Sequence, residues 1–231
     1  MKRTAAALIG AALTLAGVAA AAADAPAPAG AARPRIGLAL SGGGARGIAH
    51  VGVLKVLDEL RIPISCVTGT SMGAIVGATF AAGTPPARLQ ELVLEANWSE
   101  IFRDQPPRAE ISIRRKGEDF KTLFAPEFGV QDGGLALPKG LIAGVSIEAF
   151  FRVLTQPAAG ITDFHKLPIP FVAMATDIEN GASIVLDHGS LAQAIRASMS
   201  VPGALAPVGI GGRLLVDGGI ANNLPIDEAR K

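Results

Sequence analysis

Ser71 sits in Gly69-Thr70-Ser71-Met72-Gly73, with a glycine two positions away on either side. An apolar run, Ile64 to Thr68, leads into this segment, and a stretch of helical character, Ala74 to Ala82, leaves it and ends at Gly83. A serine on a tight strand-to-helix turn has its hydroxyl lifted out of the sheet, and flanking glycines let the chain pack closely around it. The chemistry such a residue performs is attack on an acyl carbon, and it needs a base beside it.

The bases on offer are three histidines and a late aspartate. His50 precedes Ser71, on the helix after an earlier glycine turn, and fits a packing or surface role. His165 and His188 follow Ser71 with acidic residues between, so the order serine, acid, histidine is formally allowed. Their settings argue against it: Asp163-Phe164-His165-Lys166 is a polar loop, and Asp187-His188-Gly189 is a turn. Asp217, in Leu215-Val216-Asp217-Gly218-Gly219, closes an apolar run just before two glycines. A carboxylate can take the serine proton directly when burial and hydrogen bonds place it. A Ser71–Asp217 dyad therefore fits better than a triad, although Asp-Gly-Gly by itself reads as a turn.

A second glycine cluster, Gly42-Gly43-Gly44-Ala45-Arg46-Gly47, follows the apolar run Arg35 to Leu40 and satisfies G-x-G-x-x-G. A dinucleotide site would also want an acid at the end of the next strand, to hold the ribose. That strand ends Val67-Thr68-Gly69-Thr70 and has none. The same glycines can turn backbone N–H groups toward developing negative charge, helped by the helix that follows. Gly42, Gly43 and Gly44 are the candidate oxyanion donors. Arg46 is a candidate support that pins this loop or adds positive potential; the alternative for it is a plain surface arginine.

These residues need elements to hold them. Apolar spacing predicts a helix over Ile48–Leu60, broken at Arg61-Ile62-Pro63, and another over Pro85–Asn97. Strand, glycine turn, helix, twice over, is the pattern of βαβ units on a parallel sheet. From Trp98 to Gly144 regular signals fade into expected loops. Beyond them, Val145–Leu154 predicts a helix, Ile169–Thr176 a strand with Ala182–Leu186 as its hairpin partner, Ser190–Met199 a short helix, and Val208–Val216 a hairpin turning at Gly211-Gly212. No internal repeat is present.

Composition fits one domain with a full core. Of 231 residues, 49% are hydrophobic and 18% charged, and mean hydropathy is +0.40, which excludes a disordered chain. Aromatic residues at 4%, the absence of Tyr and a net charge of +1 argue against a nucleic-acid partner. The run Arg114-Arg115-Lys116 is expected in a solvated loop, with headgroup or phosphate contact as the alternative. The single cysteine, Cys66, lies in an apolar strand and is expected in the core.

Lys2 and Arg3, an Ala/Leu/Val-rich run from Ala5 to Ala23, and small residues at Ala21-Ala22-Ala23 have the layout of an export signal over residues 1–23. An uncleaved anchor is the rival, weakened by the dominance of Ala. Residues 24–34, rich in Ala and Pro, read as a linker, and the domain as residues 35–231. The expected location is the periplasm, the outer membrane or outside the cell.

Together the three motifs, Ser41 to Gly47, Gly69 to Gly73 and Asp217-Gly218-Gly219, resemble the signature of the patatin-like phospholipase family. Ala197 to Gly203 and Asn222-Asn223-Leu224-Pro225 also look like segments of that family, so the resemblance runs from Arg35 to Lys231. It implies a three-layer α/β/α fold with a mainly parallel sheet and hydrolysis of lipid acyl esters at a phospholipid or membrane surface. Ser71 would be nucleophile, Asp217 base, and the Gly42, Gly43 and Gly44 N–H groups the oxyanion donors. No metal or organic cofactor is expected. An esterase, thioesterase or acyltransferase on soluble substrates is the alternative. The exported context is similar to bacterial patatin-like proteins with a downstream outer-membrane barrel. The expectation is a domain cut short at its C-terminus, part of a longer protein.

Overall fold

A computed structural model describes residues 34–102, 109, 112–118, 129–131, 134–136 and 142–231. The expected export signal, the linker up to residue 33, and much of the stretch between Trp98 and Gly144 lie outside the described residues. The elements of the fold are β1 (Ile36–Leu40), a 3-10 turn (Gly44–Ile48) continuing into α1 (Ala49–Glu59), β2 (Ile64–Thr70), α2 (Met72–Ala81), α3 (Pro86–Glu95), α4 (Trp98–Ile101), α5 (Ile113–Glu118), the pair β3 (Gly129–Gln131) and β4 (Gly134–Ala136), α6 (Val145–Leu154), β5 (Phe171–Asp177), β6 (Ser183–Leu186), α7 (Leu191–Ser198), β7 (Val208–Ile210), β8 (Arg213–Asp217) and α8 (Ile226–Ala229).

Six strands form the central sheet. β1, β2 and β5 are parallel neighbours; β6 and β8 run antiparallel to β5, and β7 antiparallel to β8. Four of the six thus point the same way, a mixed, mainly parallel sheet. The register on β5 matters most for function. Ala173 pairs with Gly69 on one edge and Leu186 on the other, while Ala175 pairs with Asp217 and Ile184. β6 therefore fills one edge of β5, and β2 and β8 share the opposite edge end to end. The last pair of β2 is Thr70–Met174, and the next position along, Ala175, belongs to Asp217. Two strands arriving from opposite directions bring their C-terminal ends together.

Both faces of the sheet are covered. Alternate strand residues point to opposite faces, and β2 shows what meets each. Val67 lies against α2, where a Cβ added at Gly77 would be 2.9 Å from Val67 Cγ1. On the other face Cys66 Sγ and the Thr68 and Thr70 hydroxyls meet the carbonyls of Ala229, Pro225 and Asn222. α2 is buried on nearly every side, from Met72 to Ala81, as expected for a helix that is apolar all round. Its companions in the core include Val67, Phe171, Ala173 and Ala175, all inaccessible to solvent.

Three expectations need correction. β2 continues two residues past Thr68, because Gly69 pairs with both Leu40 and Ala173 and Thr70 pairs with Met174, so the turn into α2 is Ser71 alone. Cys66 is only half-buried, because among the described residues its face of β2 is covered by nothing thicker than the short α8. The Arg114-Arg115-Lys116 run lies on the helix α5 instead of a loop. Arginine and lysine are good helix formers, and charge had masked the local preference.

Candidate active site

With Arg61, Ser71 is one of two non-glycine residues with positive φ in the described backbone. Its φ of 52° and ψ of −119° are unusual for any residue but glycine, at a cost of about 1–3 kcal/mol. Several contacts hold it there. The Ser71 N–H donates to the buried Ser198 Oγ at 2.9 Å. Its carbonyl accepts from Ala74 at 2.9 Å and Ile75 at 3.1 Å, starting α2. Gly73 makes the close approach feasible: a Cβ there would lie 2.2 Å from the Leu40 carbonyl oxygen.

Asp217 is 7% exposed. Its N–H donates to the Ser200 carbonyl at 2.9 Å, and its own carbonyl accepts from the buried Thr176 hydroxyl at 2.9 Å. One carboxylate oxygen, Oδ1, accepts from the Gly219 N–H at 2.7 Å. Neither Oδ2 nor Ser71 Oγ has a hydrogen-bond partner among the described residues. Thr70 and Asp217 thus follow one another along the same edge of β5, and Ser71 and Asp217 are each tied at the main chain, each with an oxygen left for other work.

The first glycine loop adjoins both. A Cβ on Gly42 would fall 3.0 Å from Ser71 Cβ and 2.6 Å from Asn223 Oδ1, so only glycine fits. The Gly42 N–H is already engaged, donating to Asn223 Oδ1 at 3.1 Å and to the Asn223 carbonyl at 3.3 Å. The N–H groups of Gly43 and Gly44 have no partner among the described residues, and both glycines are exposed. Arg46 is exposed and its guanidinium bonds no described residue. The pinning role expected of it falls instead to Asn223 and to His50, whose Nε2 lies 3.0 Å from the Ser41 carbonyl.

The other two histidines stay away from Ser71. His165 pairs with Asp163 at 3.3 Å and His188 with Asp187, both in exposed positions. The hydrogen bond from Lys166, then the His165 N–H, holds the Asp163 carboxyl below its ordinary value.

Sequence reasoning assigned no chemistry to four residues that build this site. Ser198 and Asn223 contact the turn and the loop; Thr68 and Thr70 donate at 2.9 Å each to the Pro225 and Asn222 carbonyls, fastening the segment that carries Asn223 across the end of β2. The available signal was alternation: two threonines on one face of an otherwise apolar strand must meet acceptors there.

Comparison with known proteins identifies the family. The profile of the patatin-like phospholipase family matches residues 38–230. An uncharacterized NTE family protein of Mycobacterium tuberculosis (strain ATCC 25618 / H37Rv) is 37% identical over 193 residues, covering 84% of this chain and 45% of the relative. Patatin-like phospholipase domain-containing protein 7 of Rattus norvegicus is 34% identical over 197 residues, 84% of this chain and 12% of that protein. The crystal structure of VipD from Legionella pneumophila superposes with a TM-score of 0.48 at 19% identity, over 83% of this chain and 47% of that one. The chain spans less than half the length of the mycobacterial relatives it matches. With the profile covering almost all of Leu38 to Lys231, the chain belongs to the patatin-like phospholipase family.

Proposed function

We propose that this chain is a serine lipid acyl hydrolase of the phospholipase A type, with Ser71 as nucleophile and Asp217 as base. The observation that carries the proposal is the register on β5, where Thr70, the residue before Ser71, and Asp217 pair with consecutive residues, Met174 and Ala175. Ser71 Oγ attacks the ester carbonyl as Asp217 takes its proton. Gly43 and Gly44 offer free N–H groups to the oxyanion, and Gly42 joins them by exchanging its bond to Asn223. The carbon–oxygen bond to the lysolipid breaks, and Asp217 returns the proton to the leaving oxygen. Water, deprotonated by Asp217, then releases the fatty acid. The test is fatty-acid release from phosphatidylcholine vesicles by the purified protein beside its Ser71→Ala variant. Equal release by both would sink the proposal.

The rim of the site favours a lipid over a soluble ester. Val201, Ile220 and Leu224 are 48%, 59% and 48% exposed. Each lies next to a residue of the site: Val201 after Ser200, Ile220 after Gly219, Leu224 after Asn223. Seating one such side chain in a bilayer is worth about 1.5–3 kcal/mol. Ile220→Asp should therefore lower vesicle hydrolysis about tenfold or more and leave a short-chain soluble ester within twofold. An equal fall on both substrates would remove the argument for a membrane surface and leave a soluble acyl substrate.

We also propose that residues 1–23 direct export, on the strength of Lys2, Arg3 and the small residues before Asp24. N-terminal sequencing of the protein recovered from the periplasm should start at Asp24. Recovery only in the cytosol with the N-terminal segment intact would overturn this.

A further inference from the structure

The C-terminal end of α7 touches both halves of the proposed dyad, and neither contact belongs to the chemistry. Ser198 Oγ accepts the Ser71 N–H at 2.9 Å, and two residues later the Ser200 carbonyl accepts the Asp217 N–H, also at 2.9 Å. Ser198 and Ser200 are both inaccessible to solvent. Ser200 is in turn fixed by a bond from its hydroxyl to the Arg196 carbonyl at 2.7 Å. Three residues of one chain segment therefore span from nucleophile to base. Of the two grips, only the one at Ser198 is made by a side chain and can be removed by substitution without breaking the backbone.

We propose that Ser198 is a positioning residue that sets Ser71 against Asp217. The proposal rests on the dyad reading above. Its reason is the strain at Ser71: a serine with φ of 52° and ψ of −119° relaxes unless its surroundings over-determine it. The Ser71 carbonyl is committed to α2 whatever happens, so the N–H is the end free to swing. Ser198 Oγ is its acceptor among the described residues. Loss of that acceptor leaves a donor without a partner beneath the sheet edge, and rotation of the Ser71 peptide to find another carries Oγ away from Asp217. A displacement of 1 Å at a reacting atom costs about a hundredfold in rate.

The experiment measures the rate at which a fluorophosphonate labels Ser71, a reaction in which serine Oγ bonds to phosphorus, fluoride departs and the proton passes to the base. It reads nucleophile placement without requiring a lipid substrate. Ser198→Ala should label about 10- to 100-fold more slowly than the parent. Ser198→Cys, which keeps the volume but has a poor acceptor, should match it, and Ser198→Thr, which keeps the hydroxyl, should recover most of the rate. Melting temperatures are recorded for each protein. In an Asp217→Asn background the Ser198→Ala penalty should shrink to less than about threefold, because residues acting as a unit are not additive. An unchanged labelling rate in Ser198→Ala, or the same penalty with and without Asp217, would overturn the proposal and leave Ser198 a structural residue. A parent that labels yet releases no fatty acid would refute only the lipid substrate; a parent that does not label would refute both.

Discussion

Asp217→Asn is expected to lower kcat for ester hydrolysis by about a thousandfold or more, with KM within a few fold and the fold intact. The substitution is close to isosteric. The asparagine oxygen can still accept from Gly219, and the main-chain bonds to Ser200 and Thr176 are untouched, so nothing that holds the strand end is lost. What disappears is the ability to take a proton. No histidine is placed to substitute, since His165 and His188 are paired with surface aspartates and His50 is spent on the Ser41 carbonyl. The residual activity should come from substrate binding and the free N–H groups of Gly43 and Gly44. A double variant, Ser71→Ala with Asp217→Asn, should be no worse than Ser71→Ala alone, because the two residues serve one step. Steady-state kinetics on a soluble chromogenic ester, with a melting curve for each protein, reads all of this. Full activity in Asp217→Asn would remove the dyad and reopen the search for a base.

The parts of this site that the sequence made legible are those encoded within a few residues. Gly69 to Gly73 states its own turn, Asp217 announces the end of β8 by the apolar run before it, and the glycine triplet marks a loop where no side chain fits. Each is a local pattern of residue types, and local patterns survive without knowledge of the fold. Ser198 and Asn223 were not legible in that way, because their partners lie 127 and 181 positions away. Nothing in Ala197 to Gly203 says that Ser198 will meet the Ser71 N–H. That depends on where β5 delivers α7 relative to the end of β2. The meeting of β2 and β8 on one edge of β5 is equally non-local: an apolar run gives a strand, but its neighbour is chosen by the whole sheet. At Arg46 the side of the turn was not legible either. A charged residue inside a strong motif attracted a role, yet its side chain leaves the turn on the solvent side. The inward-pointing cation is Arg196, in a short amphipathic helix whose residue pattern does not single it out.

Arg196→Met should destabilise the domain by about 3–5 kcal/mol. Arg196 is 2% exposed, and its guanidinium donates to the Ala143 carbonyl at 2.9 Å, to the Ala206 carbonyl at 3.0 Å and to the Ser200 hydroxyl. Those oxygens come from separate stretches that the backbone already brings side by side, since Ile142 bridges Leu205 in parallel fashion. Methionine fills most of the volume and supplies none of the donors. An acceptor left without its donor costs about 1–3 kcal/mol when buried, as at Ser200, and toward the lower end at the part-buried Ala143 and Ala206 carbonyls. For a domain of this size, 1 kcal/mol moves the melting temperature by about 2–4 °C, so a fall of about 10 °C or more is expected. Arg196→Lys keeps the charge but not the fork, and one ammonium cannot reach three divergent oxygens, so it should melt well below the parent too. The effect should extend to catalysis, because Ser200 lies between the guanidinium and Asp217: its hydroxyl is held by Arg196 and its carbonyl holds the Asp217 N–H. At temperatures where Arg196→Met is still folded, its kcat should drop while its KM holds. A melting temperature within 2 °C of the parent would show that the buried cation carries no such weight, and that the packing of α6 against α7 keeps these stretches together without it.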